Sequence, residues 1–171
     1  MQSPVLMLIT YTLMIDMVYK QINFNFSNKI VLVSGGSRGI GLGLVKSFLD
    51  SGAEVFYLSR NPISDSGIKG AKHISIDLND DSQIKNAFSL ISEYGDIDIL
   101  INSAAINFSH KFENISSEEW DKVLNLNLRS IFILTRLVIK GMKKNKAGSI
   151  VNLSSVSWML GEGDKVVYET A

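Results

Sequence analysis

The chain has no cysteine, which removes disulfides and thiolate metal sites from consideration. Its two histidines, His73 and His110, lie far apart and lack metal-ligand spacing, so metal chemistry is not expected. Charge of one sign is also missing. Seventeen Lys and Arg balance seventeen Asp and Glu for a formal net charge of zero, and no basic run occurs. That excludes the electrostatic footprint of a nucleic-acid binder. No apolar run is long enough to span a bilayer. Pro4 to Ile15 is nearly all apolar, but Asp16 interrupts it short of the about 20 residues a spanning helix needs. No basic region precedes this stretch and no small-residue cleavage site follows, so a secretory leader is not supported. Residues 1–27 read as an apolar amino-terminal extension, consistent with Met14 or Met17 as later starts, and membrane contact through residues 1–20 is not expected. A cysteine-free chain of this kind fits the cytoplasm.

What remains is ordinary globular composition. The 171 residues are 46% hydrophobic and 20% charged, enough for one domain with a real core. From residue 28 onward strands and helices alternate. Ile30–Ser34 is a β-branched-rich run of the kind buried on both faces of a sheet. Ile40, Leu44, Val45, Phe48 and Leu49 then recur at helical spacing as one apolar stripe, ended by Ser51-Gly52. Glu54–Leu58 and His73–Ile76 are strands, separated by a Pro- and Gly-bearing loop over 61–70 with room for at most a very short helix. Asp80 and Asp81 open a helix whose buried face is Ile84, Ala87, Phe88 and Ile91. Ile97–Ile101 is the fourth strand. Ser116-Ser117-Glu118-Glu119 opens one long helix to about Lys144, and Gly148–Leu153 is the fifth strand. This alternation predicts an α/β fold, a doubly wound parallel sheet with helices on both faces.

Ligands of such sheets bind beyond the carboxyl ends of the strands. Those ends are Ser34–Gly36, Ser59-Arg60, Asp77-Leu78, Asn102–Ala105 and Ser154-Ser155, all small or polar. Five such exits on one rim predict a cleft. Between the first strand and its helix, Gly35, Gly39 and Gly41 follow Gly-x-x-x-Gly-x-Gly. A turn that tight aims the free N–H groups of the next helix at a pyrophosphate, with no Cβ in the way. It is not a Walker A loop, because no Lys-Ser/Thr follows the last glycine. At the end of the second strand, where an NAD site usually has an acid, stands Arg60. Arg60 can pair with a 2′-phosphate, and Arg38 in the glycine turn can add a second contact. NADP(H) is therefore favoured over NAD(H).

These features, with Asn102-Ser103-Ala104-Ala105, Trp120-Asp-Lys-Val-Leu-Asn-Leu-Asn127, Ile150-Val-Asn-Leu-Ser-Ser155 and Tyr168, together resemble the short-chain dehydrogenase/reductase family. The resemblance is to 3-oxoacyl-carrier-protein reductases in particular. It implies a Rossmann-like domain over residues 28–171, incomplete at its carboxyl-terminal side. The dinucleotide would be held by Gly35, Ser37, Arg38, Gly39, Ile40, Gly41, Ser59 and Arg60. Asp77 and Leu78 would flank the adenine, and Asn102 and Ala104 the nicotinamide side. Ser34 replaces the family's usual Thr, and Ala105 its Gly.

The resemblance assigns catalysis to Ser155, Tyr168 and Asn127. Ser155 is preferred to Ser154 because it precedes Tyr168 by the family's thirteen residues, and Asn127 to Asn125 by its position relative to Trp120 and Phe132. A Ser-His-Asp hydrolase is the poorer reading, since no Gly-x-Ser-x-Gly elbow occurs and no His follows Ser155. The implied reaction is hydride transfer between a nicotinamide and a small carbonyl or alcohol substrate. Tyr168 would give the proton and Ser155 would hydrogen-bond the same oxygen. The family places a Lys one helical turn after the Tyr, joined to Asn127 through a water; here that position falls just past Ala171. The expectation is an amino-terminal fragment of a homo-oligomeric reductase (dimer or tetramer). The alternative is a dinucleotide-binding module without useful turnover.

Overall fold

The computed structural model describes residues 24–64, 68–161 and 163–171. The apolar stretch from Pro4 to Ile15, Asp16 and the candidate starts Met14 and Met17 lie outside the described residues. Five strands form one sheet: β1 (Ile30–Ser34), β2 (Glu54–Ser59), β3 (Lys72–Ser75), β4 (Ile99–Asn102) and β5 (Ser149–Asn152). Their order is β3-β2-β1-β4-β5, and every neighbouring pair is parallel. The helices are α1 (Gly39–Asp50), α2 (Asp81–Ser92), α3 (Ser117–Leu124), α4 (Ser130–Asn145), α5 (Ser157–Leu160) and α6 (Val166–Thr170). No helix among the described residues is long and apolar enough to cross a membrane.

The alternation of side chains along β1 explains the two-sided core. Val31 and Val33 point to one face, where Val55, Tyr57 and Ile101 join Val45 of α1, with Leu44, Phe48 and Leu49 packed against them. Leu32 points to the other face and meets Leu58, Leu100, Ile84 and Ile91 of α2, and Ile133, Leu134 and Val138 of α4. Leu32, Leu58 and Leu100 are wholly buried. Each contributes about 1.5–3 kcal/mol from removal of its side chain from water. Phe26 also belongs to this packing: its ring meets Phe48 edge-on at 4.9 Å, and its N–H donates to Ser51 O at 2.8 Å. Residues 24–27 of the apolar extension are thus tied to the domain.

Two expectations are corrected by the structure and one is borne out. Ile40 does not join the buried stripe of α1; it is 70% exposed, in the first turn, where the helix has left the sheet and borders the cleft. Asp80 and Asp81 open their helix as expected, Asp80 as its cap, with Oδ1 accepting from the N–H groups of Ser82 and Gln83. The single helix expected from Ser116 to about Lys144 is three pieces. α3 begins with a capping box between Ser116 and Glu119, as its sequence predicts. It then passes into a π-helical segment, Asn125–Arg129, before α4 continues to Asn145. The wider turn accommodates Asn127, whose amide is bonded across to the loop after β4 rather than to its own helix. Arg129 at the end of this segment makes a two-pronged contact with Asp81 of α2.

Candidate active site

The carboxyl ends of all five strands open into one cleft of about 1230 Å³. β1 supplies its entry through a turn that only glycine can make. Gly35 has φ +72°, and a Cβ there would stand 2.7 Å from Ala104 Cα. A Cβ on Gly41 would stand 2.3 Å from Gly35 O. Between them Gly39 has φ +56° with nothing within 4 Å of a Cβ position, so this stretch of backbone faces open space. The buried hydroxyl of Ser34 locks the turn to the next exit by accepting from the N–H groups of Ser103 (3.2 Å) and Ala104 (3.3 Å).

This turn fits a dinucleotide pyrophosphate. Arg38, the residue before α1, makes no side-chain cap, and the first turn carries no acidic residue. The unsatisfied N–H groups and the positive end of the helix dipole are left for an anion. Ser37, Arg38, Ile40 and the three motif glycines all line the cleft, as do Ser59 and Arg60 at the end of β2.

Asp77 and Leu78 line it beyond β3. Asp77 Oδ1 accepts from both the backbone and the side chain of Asn79, each at 2.9 Å. Those bonds, backbone first, hold the carboxyl below the usual carboxylate range, with smaller help from the charges of Arg60 and Lys122. The group is therefore an anion near neutrality, suited to accepting hydrogen bonds.

Ala104 lines the cleft beyond β4, but Asn102 does not. Asn102 is buried, 2% exposed, and donates through Nδ2 to Asn152 Oδ1 at 2.8 Å, tying β4 to β5. Its Oδ1 has no protein partner among the described residues. Asn152, which the sequence reading passed over, is the one of this pair that reaches the cleft wall.

The remaining candidates come from later in the chain. Ser155 follows β5; its hydroxyl donates to Ser157 Oγ at 3.1 Å and accepts from Ser157 N–H at 3.2 Å. Tyr168 stands half-buried in α6. Both line the cleft, as does Asn127, so the three catalytic candidates open on the same cavity.

Two segments are also strapped together: Ser109 bonds the Asp164 carboxylate, and His110 N–H donates to Asp164 O at 2.8 Å. The Ser109 hydroxyl holds the Asp164 carboxyl below its ordinary range. Lining residues missed from sequence include Ile106, Phe108, Lys122 and Trp158. Only Lys122 carried a readable signal, since it stands one helical turn before Leu126 in the segment that ends at Asn127.

A parallel sheet open at its carboxyl edge, with a glycine turn feeding an uncapped helix at that edge, defines a Rossmann-like α/β domain. The chain belongs to the short-chain dehydrogenase/reductase family, whose short chain dehydrogenase pattern matches residues 29–171. It is 35% identical to D-xylose 1-dehydrogenase of Caulobacter vibrioides (strain NA1000 / CB15N), over 86% of this chain and 61% of that protein. It is 32% identical to the 3-oxoacyl-[acyl-carrier-protein] reductase FabG of Escherichia coli (strain K12), over 86% and 63%.

Among solved structures it resembles the ligand-free aldohexose dehydrogenase AldT of Thermoplasma acidophilum. That match has a TM-score of 0.77 and 33% identity, over 84% of this chain and 56% of that one. It also resembles 4-hydroxyisoleucine dehydrogenase complexed with NADH and succinate. Here the TM-score is 0.75 with 33% identity, over 82% and 65%. The chain spans less than two thirds of the length of these curated relatives.

Proposed function

We propose that this chain forms the cofactor-binding and catalytic part of an NADPH-dependent carbonyl reductase that can also run as an alcohol dehydrogenase. One observation carries the reading: Ser155 and Tyr168 line the same cleft as the glycine turn. When bound, a reduced nicotinamide supplies the hydride. The Tyr168 hydroxyl donates the proton to the carbonyl oxygen, and the Ser155 hydroxyl hydrogen-bonds that same oxygen as negative charge develops on it. Apolar Ile106, Phe108 and Trp158 in the same cleft support a small substrate with an apolar portion and help exclude water.

The preference for NADPH rests on Arg60 and Arg38, two cations in the cleft at the positions that would meet a 2′-phosphate. Exposed Phe132 and Ile139, two turns apart on α4 and outside the cleft, support assembly as a homo-oligomer. The proposed setting is the cytoplasm. The test is Tyr168→Phe in the protein that carries this chain. It removes almost all NADPH-dependent ketone reduction while leaving NADPH binding in place; retained turnover overturns the assignment.

A further inference from the structure

The backbone that leaves β2 is pinned by side chains to which the proposed reaction gives no role. His73 and Ser75 lie two apart on β3, so they share one face, and they are in register with Tyr57 and Ser59 of β2. The His73 ring stacks on Tyr57 with centroids 4.8 Å apart. That stacking sets Nε2 at 3.0 Å from Ser59 O and 3.1 Å from Ser59 Oγ. A carbonyl only accepts, and Ser59 Oγ already donates its own hydrogen to Asn61 O at 2.6 Å. Nε2 must therefore carry a hydrogen and donate to Ser59. Ser75 Oγ donates to Arg60 O at 3.0 Å, and Ile63 N–H donates to Tyr57 OH at 3.1 Å.

Three successive carbonyls, those of Ser59, Arg60 and Asn61, are each held by a hydroxyl or an imidazole. Ser59, Arg60 and Asn61 line the cleft, whereas His73 and Ser75 do not. We propose that His73 and Ser75 are positioning residues that fix the backbone of Arg60 so that its guanidinium is presented to the 2′-phosphate of NADP(H). The inference rests on the NADPH reading above. Arginine has a long, flexible side chain, and its contribution to an anion site depends on how little ordering remains when the ligand arrives. A turn held at three consecutive carbonyls has lost the backbone's share of that freedom beforehand, leaving only the side chain to be ordered. On the same reading the adenine would lie beside Asp77 and Leu78 and the 5′-phosphate at the glycine turn, so neither would depend on the turn after β2.

The test titrates the 171-residue chain, isotope-labelled for NMR, with 2′,5′-ADP and with 5′-AMP, which differ only in the 2′-phosphate. Wild type binds 2′,5′-ADP more tightly. His73→Phe, which keeps the stack on Tyr57 but has no Nε2–H, weakens 2′,5′-ADP by about tenfold and leaves 5′-AMP within about twofold. His73→Gln, whose amide supplies an N–H, recovers most of that loss. Ser75→Ala shifts the same preference in the same direction by about threefold, and as the removal of an exposed hydroxyl it carries the test if His73→Phe fails to fold.

Equal losses for both ligands in His73→Phe, or in Ser75→Ala where that variant decides, make the residue structural and overturn the proposal. So does a 2′-phosphate preference left unchanged. If wild type itself shows no preference for 2′,5′-ADP, the NADPH reading fails first and the proposal falls with it.

Discussion

Asn127 holds Ile106 by both ends of its amide, Oδ1 accepting from Ile106 N–H and Nδ2 donating to Ile106 O, each at 2.9 Å. One side chain thereby fastens the π-helical segment to the loop that carries Ile106 and Phe108 into the cleft. Asn127 is 7% exposed, so its side of these bonds is shielded from water. Asn127→Leu takes these partners from the N–H and C=O of Ile106, a half-buried residue. The expected loss of stability is about 2 kcal/mol, the low end for two groups at about 1–3 kcal/mol each, because water can reach half-buried groups. Urea denaturation measures it, and a loss within experimental error of zero shows that the π-helical segment is set by something else.

Arg60 gives the second prediction. An Asp at this position would accept hydrogen bonds from ribose hydroxyls and repel a 2′-phosphate. Arg60→Asp in the active protein is expected to weaken NADPH by about tenfold or more, the scale of losing one charge-assisted contact. NADH should change little or improve. The ratio of kcat/KM for the two cofactors reads this directly, and an unchanged ratio refutes the 2′-phosphate role.

The glycine turn separates two kinds of need. Gly41→Ala forces a methyl to within 2.3 Å of Gly35 O, a backbone atom that cannot swing aside. The turn must distort, with an expected cost of about 3 kcal/mol, the upper end for overpacking. Gly39→Ala meets no atom within 4 Å but holds φ at +56°. It is expected to cost about 1 kcal/mol of strain while placing a methyl in the open space where a pyrophosphate would approach. Thermal melts should rank Gly41→Ala below Gly39→Ala. Dinucleotide binding should fall in Gly39→Ala by more than its stability loss explains.

The same turn marks how far the sequence could be read. Strand–helix alternation and the Gly35, Gly39 and Gly41 spacing were legible because each is a local constraint: a buried run, a helical stripe, a turn without Cβ. The exposure of Ile40 was not legible. Hydropathy records that a side chain is apolar, not whether the first helical turn has cleared the sheet. The π-helical segment over 125–129 was invisible for a related reason. One extra residue in a turn shifts the apolar periodicity by less than the scatter of the pattern, and its partner, Ile106, is 21 residues away. Asn102 and Asn152 also exchanged expectations. Sequence put the first at the cleft, but pairing of β4 with β5 buries it and leaves the second in the wall.

Acid sensitivity follows from the cap of α2. The side-chain hydrogen bond from Ser82, joined by the N–H groups of Gln83 and Ser82, lowers the Asp80 carboxyl from its ordinary 3.8 to about 2. A carboxylate whose folded pKa is depressed stabilises the fold above its unfolded value, and that contribution disappears as pH falls through the folded one. The cap is therefore complete above about pH 4 and is lost progressively as the pH falls to about 2. Because Asp80 lies at the surface, salt weakens the effect. In Asp80→Asn the side-chain oxygen still accepts but no longer titrates. The expected result is a wild-type melting temperature that falls more steeply than the variant's between pH 4 and pH 2. The two should differ least at the acidic end. Parallel pH profiles for the two proteins would remove Asp80 as a source of the acid response and move it to other depressed carboxyls, Asp77 and Asp164.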